Sequence, residues 1–266
     1  MRIVLEFPAA QDGHIFHHRT LPRAHPHRHA ELEFILMVAG TMPYVVGRRR
    51  YTLQRHDLIW LFPGQDHGVL QTSKDAEFYV AVFRPRLLQR AWPVLRQRQP
   101  AGNFCRRLTE PGALRLQRLL AETEQSVTDT NLFNAGLHYL LAQTWQAFQR
   151  TPEQARGSEL HPSVEKALNE MKRARGDVTV EQVARAAGLS YSRLSRLFKR
   201  QTGVTIIEFC HRQKVDRFRE LYGMGQRFNL LEAALEAGFG SYPTFHRVFH
   251  RITGLSPAAY RKQVRS

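Results

Sequence analysis

The C-terminal half of this 266-residue chain carries the same pattern twice, so it should fold as a tandem of similar pieces. Thr179-Val180-Glu181-Gln182 and Asn229-Leu230-Leu231-Glu232 lie 50 positions apart. Each is a capping box: the first side chain accepts from a backbone N–H three residues on, and the Gln or Glu there reaches back. Ala184 and Ala187 match Ala234 and Ala237, small residues that let crossing helices approach. Gly188 and Gly238 follow, where a backbone without Cβ turns left-handed and ends the helix. Gly240 is one extra residue in the second copy, and the offset becomes 51. Ser190 and Ser241 then stand as N-caps. Leu194, Phe198 and Gly203 match Phe245, Phe249 and Gly254, and Arg196 and Arg200 match Arg247 and Arg251. Even Phe209 matches Tyr260.

One unit is helix, glycine turn, capped helix, glycine stop. That is a helix-turn-helix, expected at about 179–203 and again at about 229–254. A helical hairpin used only for packing is the alternative, but the outward faces carry Arg, Ser and Thr rather than Glu/Lys pairs. In a helix-turn-helix the second helix lays its N-terminal residues on base edges in the major groove. With Leu194, Leu197 and Phe198 toward the core, the first copy offers Ser192, Arg193, Ser195, Arg196 and Lys199. The second offers Ser241, Tyr242, Thr244, His246, Arg247 and His250. Arg grips guanine with two hydrogen bonds, so Arg196 and Arg247 are the expected base readers. Lys199, Arg200, Arg251 and the caps Ser190 and Ser241 are expected on phosphates, which position without specifying. For Arg200 and Arg251 the alternative is solvation near a helix C-terminus, where cations are favoured. Between the copies, Glu208 to Leu221 reads as one helix with Phe209, Val215, Phe218 and Leu221 inward. Such a connector could hold two reading heads about 34 Å apart, so that one chain reads two successive grooves.

Charge supports a polyanionic partner. The chain carries 39 Lys+Arg against 23 Asp+Glu, a formal +16. Residues 158–266 hold 19 and 10 of these, net +9, so the helical part is basic without being uniquely so. Only six of the cations are Lys, so an arginine-rich composition is an alternative source of the charge. Cys105 and Cys210 are the only cysteines, which excludes a disulfide framework and a cysteine metal knuckle. The longest apolar run, Phe34 to Ala39, is far too short for a membrane span. Glu6 and Pro8 interrupt any signal-peptide core, so the expectation is a cytoplasmic protein with no membrane partner.

The first third reads as strands: Glu31 to Val38, Pro43 to Gly47, Arg50 to Leu53, Asp57 to Phe62 and Glu77 to Phe83. Short strands without intervening helices suggest an antiparallel barrel or sandwich. Leucines at helical spacing follow, in Leu114 to Leu120 and Leu137 to Phe148. The stretch from Thr151 to Ser158 is polar and broken by Pro and Gly. The expected class is α+β: a β sensor with trailing helices over 1–150, a linker over 151–160, and an all-α domain over 161–266.

Residues 161–265 resemble the DNA-binding domain of AraC/XylS-type bacterial transcription regulators. The strongest segment is Ala234-x3-Gly238-Phe239-x-Ser241-x3-Phe245-x-Arg247-x-Phe249-x4-Gly254-x-Ser256-Pro257-x2-Tyr260-Arg261. Ile206 stands where the family often has Pro, Phe218 where it often has Ala, and His250 where Lys is common. The resemblance implies promoter or operator binding on double-stranded DNA in the bacterial nucleoid, RNA polymerase as a partner, and usually activation. A second resemblance agrees with it. His27-x-His29-x3-Glu33-x6-Gly40 and Pro63-Gly64-x2-His67 are similar to the two motifs of the cupin barrel, a common sensor in this family. His56 stands where the second motif usually has Gly, and Gln71 where it often has Asn. In metal-binding cupins the equivalents of His27, His29, Glu33 and His67 converge on one ion, and imidazole plus carboxylate suits Zn, Fe(II), Mn or Ni. In other regulators such groups line a polar pocket or bond to one another. His17, His18 and His25 are expected at the mouth or surface. Phe34, Tyr44, Trp60, Phe62 and Tyr79 line the barrel or fill its core. The family default for the effector is a sugar or other small polar metabolite. The helices around Leu114–Leu120 and Leu137–Phe148 resemble dimerisation helices, implying a homodimer; packing against their own barrel is the other reading. The competing function is a metal-dependent cupin enzyme fused to a DNA-binding module, although no separate catalytic base or nucleophile stands out.

Overall fold

The structure is a computed structural model describing residues 5, 7–19, 27–70, 72–91, 104–153, 157–174, 177–223 and 228–265. His25 and Gln71 lie outside the described residues. Two compact units meet in sequence between Glu159 and Leu160.

The first unit has strands β1 (Gly13–His18), β2 (Leu32–Ala39), β3 (Thr41–Val46), β4 (Arg49–Gln54) and β5 (Asp57–Leu61). Strands β6 (His67–Val69), β7 (Glu77–Phe83), β8 (Cys105–Arg107) and β9 (Ser158–Glu159) complete it. They form two antiparallel sheets, ordered β1-β7-β2-β5-β8 and β6-β3-β4-β9. The antiparallel β architecture is as expected, but among the described residues the sheets do not close into one hydrogen-bonded barrel. They share one core instead, in which Phe34, Leu36, Trp60 and Phe83 of the first sheet cluster with Met42, Tyr44, Tyr51 and Leu53 of the second. The chain passes between sheets at Gly40, φ +68°, where a Cβ would sit 2.7 Å from Ala76 Cα. Only glycine fits that corner.

Strand β2 is buried on both faces from Leu32 to Met37. One face meets the second sheet, and the other is covered by helices. These are α1 (Pro85–Ala91), α2 (Glu110–Gln125) and α3 (Thr130–Arg150). Thr109 caps α2 and Asp129 caps α3. Leu116, Leu120, Leu137, Leu140 and Leu141 join the sheet core, so these stripes pack on their own domain. Leu114 is instead exposed, as are Leu132 and Tyr139. Phe34, Tyr44, Trp60, Phe62 and Tyr79 are buried core. Within the polar stretch expected as linker, Ser158–Glu159 pairs with Arg50 and Arg49 of β4.

The second unit is helical: α4 (Pro162–Arg173), α5 (Val180–Ala187), α6 (Tyr191–Thr202), α7 (Ile206–Gly223), α8 (Leu230–Glu236), α9 (Tyr242–Thr253) and α10 (Pro257–Arg265). Both capping boxes form. Gln182 N–H donates to Thr179 Oγ1 at 3.2 Å and Thr179 N–H to Gln182 Oε1 at 2.8 Å. The Asn229 and Glu232 pair makes the same exchange at 2.9 Å each way. Gly188 and Gly238 take φ of +68° and +89°. Phe218 is fully buried, its ring 4.4 Å from that of Phe245 and 5.3 Å from that of Phe249. No helix among the described residues is long and apolar enough to cross a membrane.

Candidate nucleic-acid interface and effector site

Helices α6 and α9 are the second helices of the two units. Leu194 and Phe198 of α6 are fully buried, as are Phe245 and Phe249 of α9. Leu197, expected in the core, is half-buried, because it lies off the stripe defined by Leu194 and Phe198. The same rotation leaves Ser190, Ser192, Arg193, Arg196, Lys199 and Arg200 exposed, with Ser195 half-buried. On α9, Ser241, His246, Arg247, His250 and Arg251 are exposed, while Tyr242 and Thr244 are half-buried. Each head therefore presents a cationic outer face over an apolar inner one.

The two heads differ in detail. Ser241 accepts from the Thr244 N–H at 3.4 Å, as an N-cap should, whereas Ser190 makes no side-chain cap bond. The Ser190 hydroxyl thus has no helix-capping bond of its own. Tyr191, which repeats as Tyr242, is exposed in α6, while Tyr242 packs on the Phe245 ring at 5.6 Å. Both helices close alike: Thr202 Oγ1 donates to Phe198 O and Thr253 Oγ1 to Phe249 O, each at 2.8 Å. This threonine pair extends the repeat at the same 51-residue offset, a signal present in the sequence itself.

In the first unit, backbone pairing builds the histidine centre. His27 N–H donates to His67 O and His67 N–H to His27 O, both at 2.8 Å, so the segment before β2 is stitched to β6. Gly64 N–H donates to His29 O at 2.8 Å. Gly64 has φ +78°, which explains a glycine in that motif. The result gathers the four positions that spacing had singled out. Ring nitrogens of His27, His29 and His67 all lie within 4.8 Å of one another. Glu33 Oε2 is 2.9 Å from His29 Nε2 and 3.9 Å from His67 Nε2. The carboxylate sits on the side of His29 and His67. His67 Nδ1 is 3.0 Å from Gln65 O, which fixes that ring as a donor there.

One neighbour, Glu31, lies outside the sequence expectation. Glu31 Oε2 lies 3.4 Å from His29 Nδ1, so both nitrogens of His29 face carboxylates. Burial opposes charging this ring, but the hydrogen bonds and charges of Glu31 and Glu33 outweigh it and raise its pKa to about 9. Tyr44 is wholly buried with its ring parallel to His67 at 6.4 Å; burial, then the charge of Glu33, holds its hydroxyl un-ionised. His17 and His18, expected at the mouth or surface, are half-buried, and β1 that carries them runs beside β7. His17 Nε2 pairs with Glu77 at 2.7 Å, and its ring stacks on Tyr79 at 4.1 Å. His18 feels the charge of Glu33, although burial dominates and lowers its pKa.

A β domain with a buried polar centre, followed by two helix-turn-helix heads, defines a ligand-sensing DNA-binding regulator. Residues 10–142 match the family model of the AraC-like ligand binding domain, and residues 183–263 match a helix-turn-helix domain. The chain belongs to the AraC family of transcriptional regulators. It is 28% identical over 249 residues to the uncharacterized HTH-type transcriptional regulator YfiF of Bacillus subtilis, covering 88% of this chain and 78% of that protein. It is 29% identical over 108 residues to the arabinose operon regulatory protein of Escherichia coli K12, covering 38% of this chain and 37% of that one. Among solved structures it is similar to ToxT from Vibrio cholerae O395, at 11% identity and a TM-score of 0.39 over 95% of this chain and 97% of that one.

Proposed function

We propose that the chain is a sequence-specific, effector-responsive transcription regulator acting in the cytoplasm at the nucleoid, and that it is not an enzyme. Arg196 and Arg247 read bases. Lys199, Arg200, Arg251, Ser190 and Ser241 hold phosphates. The carrying observation is that the repeat gives two exposed arginines at equivalent places on the second helices of the two heads, over apolar cores. Each base contact is worth about 1–3 kcal/mol of discrimination. Arg196→Ala and Arg247→Ala should each lower discrimination between an operator selected from random DNA and an unselected duplex by about 1–3 kcal/mol, with the fold intact by circular dichroism. Unchanged discrimination in both variants would reject the base-reading roles.

The effector site is the centre of His27, His29, Glu33 and His67. Its donor set, three imidazoles and one carboxylate, fits a divalent transition metal. His27, His29, Glu33 and His67 would hold the ion, in place of the proton that His29 holds between Glu31 and Glu33. Bound there, the metal would supply a Lewis-acidic anchor for a small polar effector such as a sugar. The exposed Leu132 and Tyr139 of α3 leave room for a homodimer contact, and RNA polymerase is the partner expected of an activator. Metal content of untagged protein, purified without chelator and measured by mass spectrometry, tests the centre beside a His27→Ala/Glu33→Ala double variant. Near-stoichiometric metal lost in the variant is the expected result. A metal-free wild type would replace the ion with an organic-ligand pocket. Turnover of a small substrate by metal-loaded protein, lost in His67→Ala, would favour the enzyme reading.

A further inference from the structure

His211 sits on α7, the helix between the two heads, forty residues before Arg251 of α9. Its Nδ1 lies 3.2 Å from a guanidinium nitrogen of Arg251. A guanidinium has donors only, so Arg251 donates and Nδ1 accepts. An imidazole that accepts on Nδ1 is neutral and carries its proton on Nε2. The surroundings hold it there. Burial comes first, then the positive charges of Arg251, Lys214 and Arg247, and Glu208 alone opposes them. Arg247 and Arg251 stand one turn apart on α9; Lys214 and Glu208 are on α7 beside the histidine.

The same stretch of α7 is tied to the second head at other points. Lys214 Nζ donates to Gly238 O at 2.6 Å, and Arg217 Nε to Glu236 O at 3.0 Å. Those bonds fix the turn of the head. His211 meets its recognition helix, and does so through a side chain exposed on the cationic face. An exposed arginine that must be ordered on binding forfeits rotamer freedom; one already held forfeits less.

We infer that His211 is a positioning residue of the DNA interface: it accepts from Arg251 and holds that guanidinium ready for a backbone phosphate. The inference rests on the reading of Arg251 as a phosphate contact. Phosphate contacts are independent of sequence, so a mixed-sequence duplex about two helical turns long is a sufficient probe. Affinity of the full chain for it is measured by fluorescence anisotropy at about 50 mM salt. The set is the wild type, Arg251→Ala, His211→Leu, His211→Gln, and the Arg251→Ala/His211→Leu double variant. Arg251→Ala should weaken binding and lower the salt slope by about one. His211→Leu should weaken binding about threefold to tenfold, the range of ordering one long side chain. It should keep the salt slope, because the arginine charge remains. His211→Gln, which keeps an acceptor, should recover most of the loss. In the Arg251→Ala background, His211→Leu should cost nothing further, the sign of coupling rather than of general damage. His211→Ala is run in parallel so that the result does not hang on how leucine packs. Full affinity in both His211→Leu and His211→Ala, or a loss as large in the Arg251→Ala background as in the wild type, overturns the positioning role alone. Unchanged affinity and salt slope in Arg251→Ala overturn the phosphate reading, and the positioning role with it.

Discussion

At His56 the backbone takes φ 69°, the only positive φ at a non-glycine position among the described residues. The turn between β4 and β5 demands it: His56 N–H donates to Met37 O at 2.9 Å, and Leu108 N–H donates to His56 O at 3.0 Å. A side chain costs about 1–2 kcal/mol in that region, which explains why the related motif usually has glycine there. His56→Gly should therefore stabilise the first unit by about 1 kcal/mol, the relief offset partly by the freedom glycine regains on unfolding. Thermal melts of the full chain check this; an unchanged or lower transition would mean that the imidazole itself contributes. The four residues of the histidine centre were legible in the sequence through its resemblance to the two cupin motifs, whose short spacings are local. The sequence did not reveal Glu31. That carboxylate reaches His29 from outside β2, and only the folded chain shows both carboxylates on one ring.

The helices were more legible than the strands, for a physical reason. A capping box and a glycine stop are closed within four residues, so each helix start and stop of the repeat is written locally. Strands β2, β3, β4, β5 and β7 fall within two residues of their expected bounds. Strands β1, β6, β8 and β9 went unseen. β6 and β8 are three residues long and β9 two, and β1 holds three histidines, so none shows apolar alternation. Partners far along the chain make them strands. Phe218 is the element-scale counterpart. It stands where alanine is common in the family, and its ring fills the space among Phe245, Phe249 and Tyr222. Phe218→Ala should cost about 3–5 kcal/mol and cut operator binding by loosening the second head. A drop under about 1 kcal/mol in urea melts would mean that the site collapses around the smaller residue. His211 predicts a pH effect on this unit. Its folded pKa is lowered, so the unfolded chain binds more protons between the folded value and the ordinary 6.5. Stability from this residue is therefore full above about 6.5 and falls as pH drops below it. In urea melts the stability gap between wild type and His211→Gln should be constant above about pH 6.5 and shift against the wild type as pH falls below it; parallel curves across that whole range would reject the assignment.

At the scale of the whole molecule, a formal charge of +16 favours any duplex, so charge alone cannot tell an operator from other DNA. Discrimination has to come from the two heads, and α7 joins them rigidly enough to set a fixed phase. Each end is anchored in a different core: Phe209 meets Phe198 of the first head at 5.9 Å, and Phe218 meets Phe245 of the second at 4.4 Å. If one chain reads two successive major grooves, its operator must contain two short blocks of fixed bases about one helical turn apart. Selection of binding sites from a random library with the wild-type chain should recover both blocks at one spacing. The heads differ at equivalent positions, Ser195 and Lys199 against His246 and His250, so the blocks should differ in sequence. Selection repeated with Arg196→Ala should relax one block and leave the other. Arg247→Ala should do the reverse, because each arginine touches only its own groove. Spacing between blocks should be the same in all three selections, since it is set by α7 and not by either reading helix. Recovery of a single block from the wild type would mean that one head does the reading and the second serves as a clamp. Relaxation of the same block by both substitutions would place the two arginines over one groove, which a rigid α7 between separate cores does not permit.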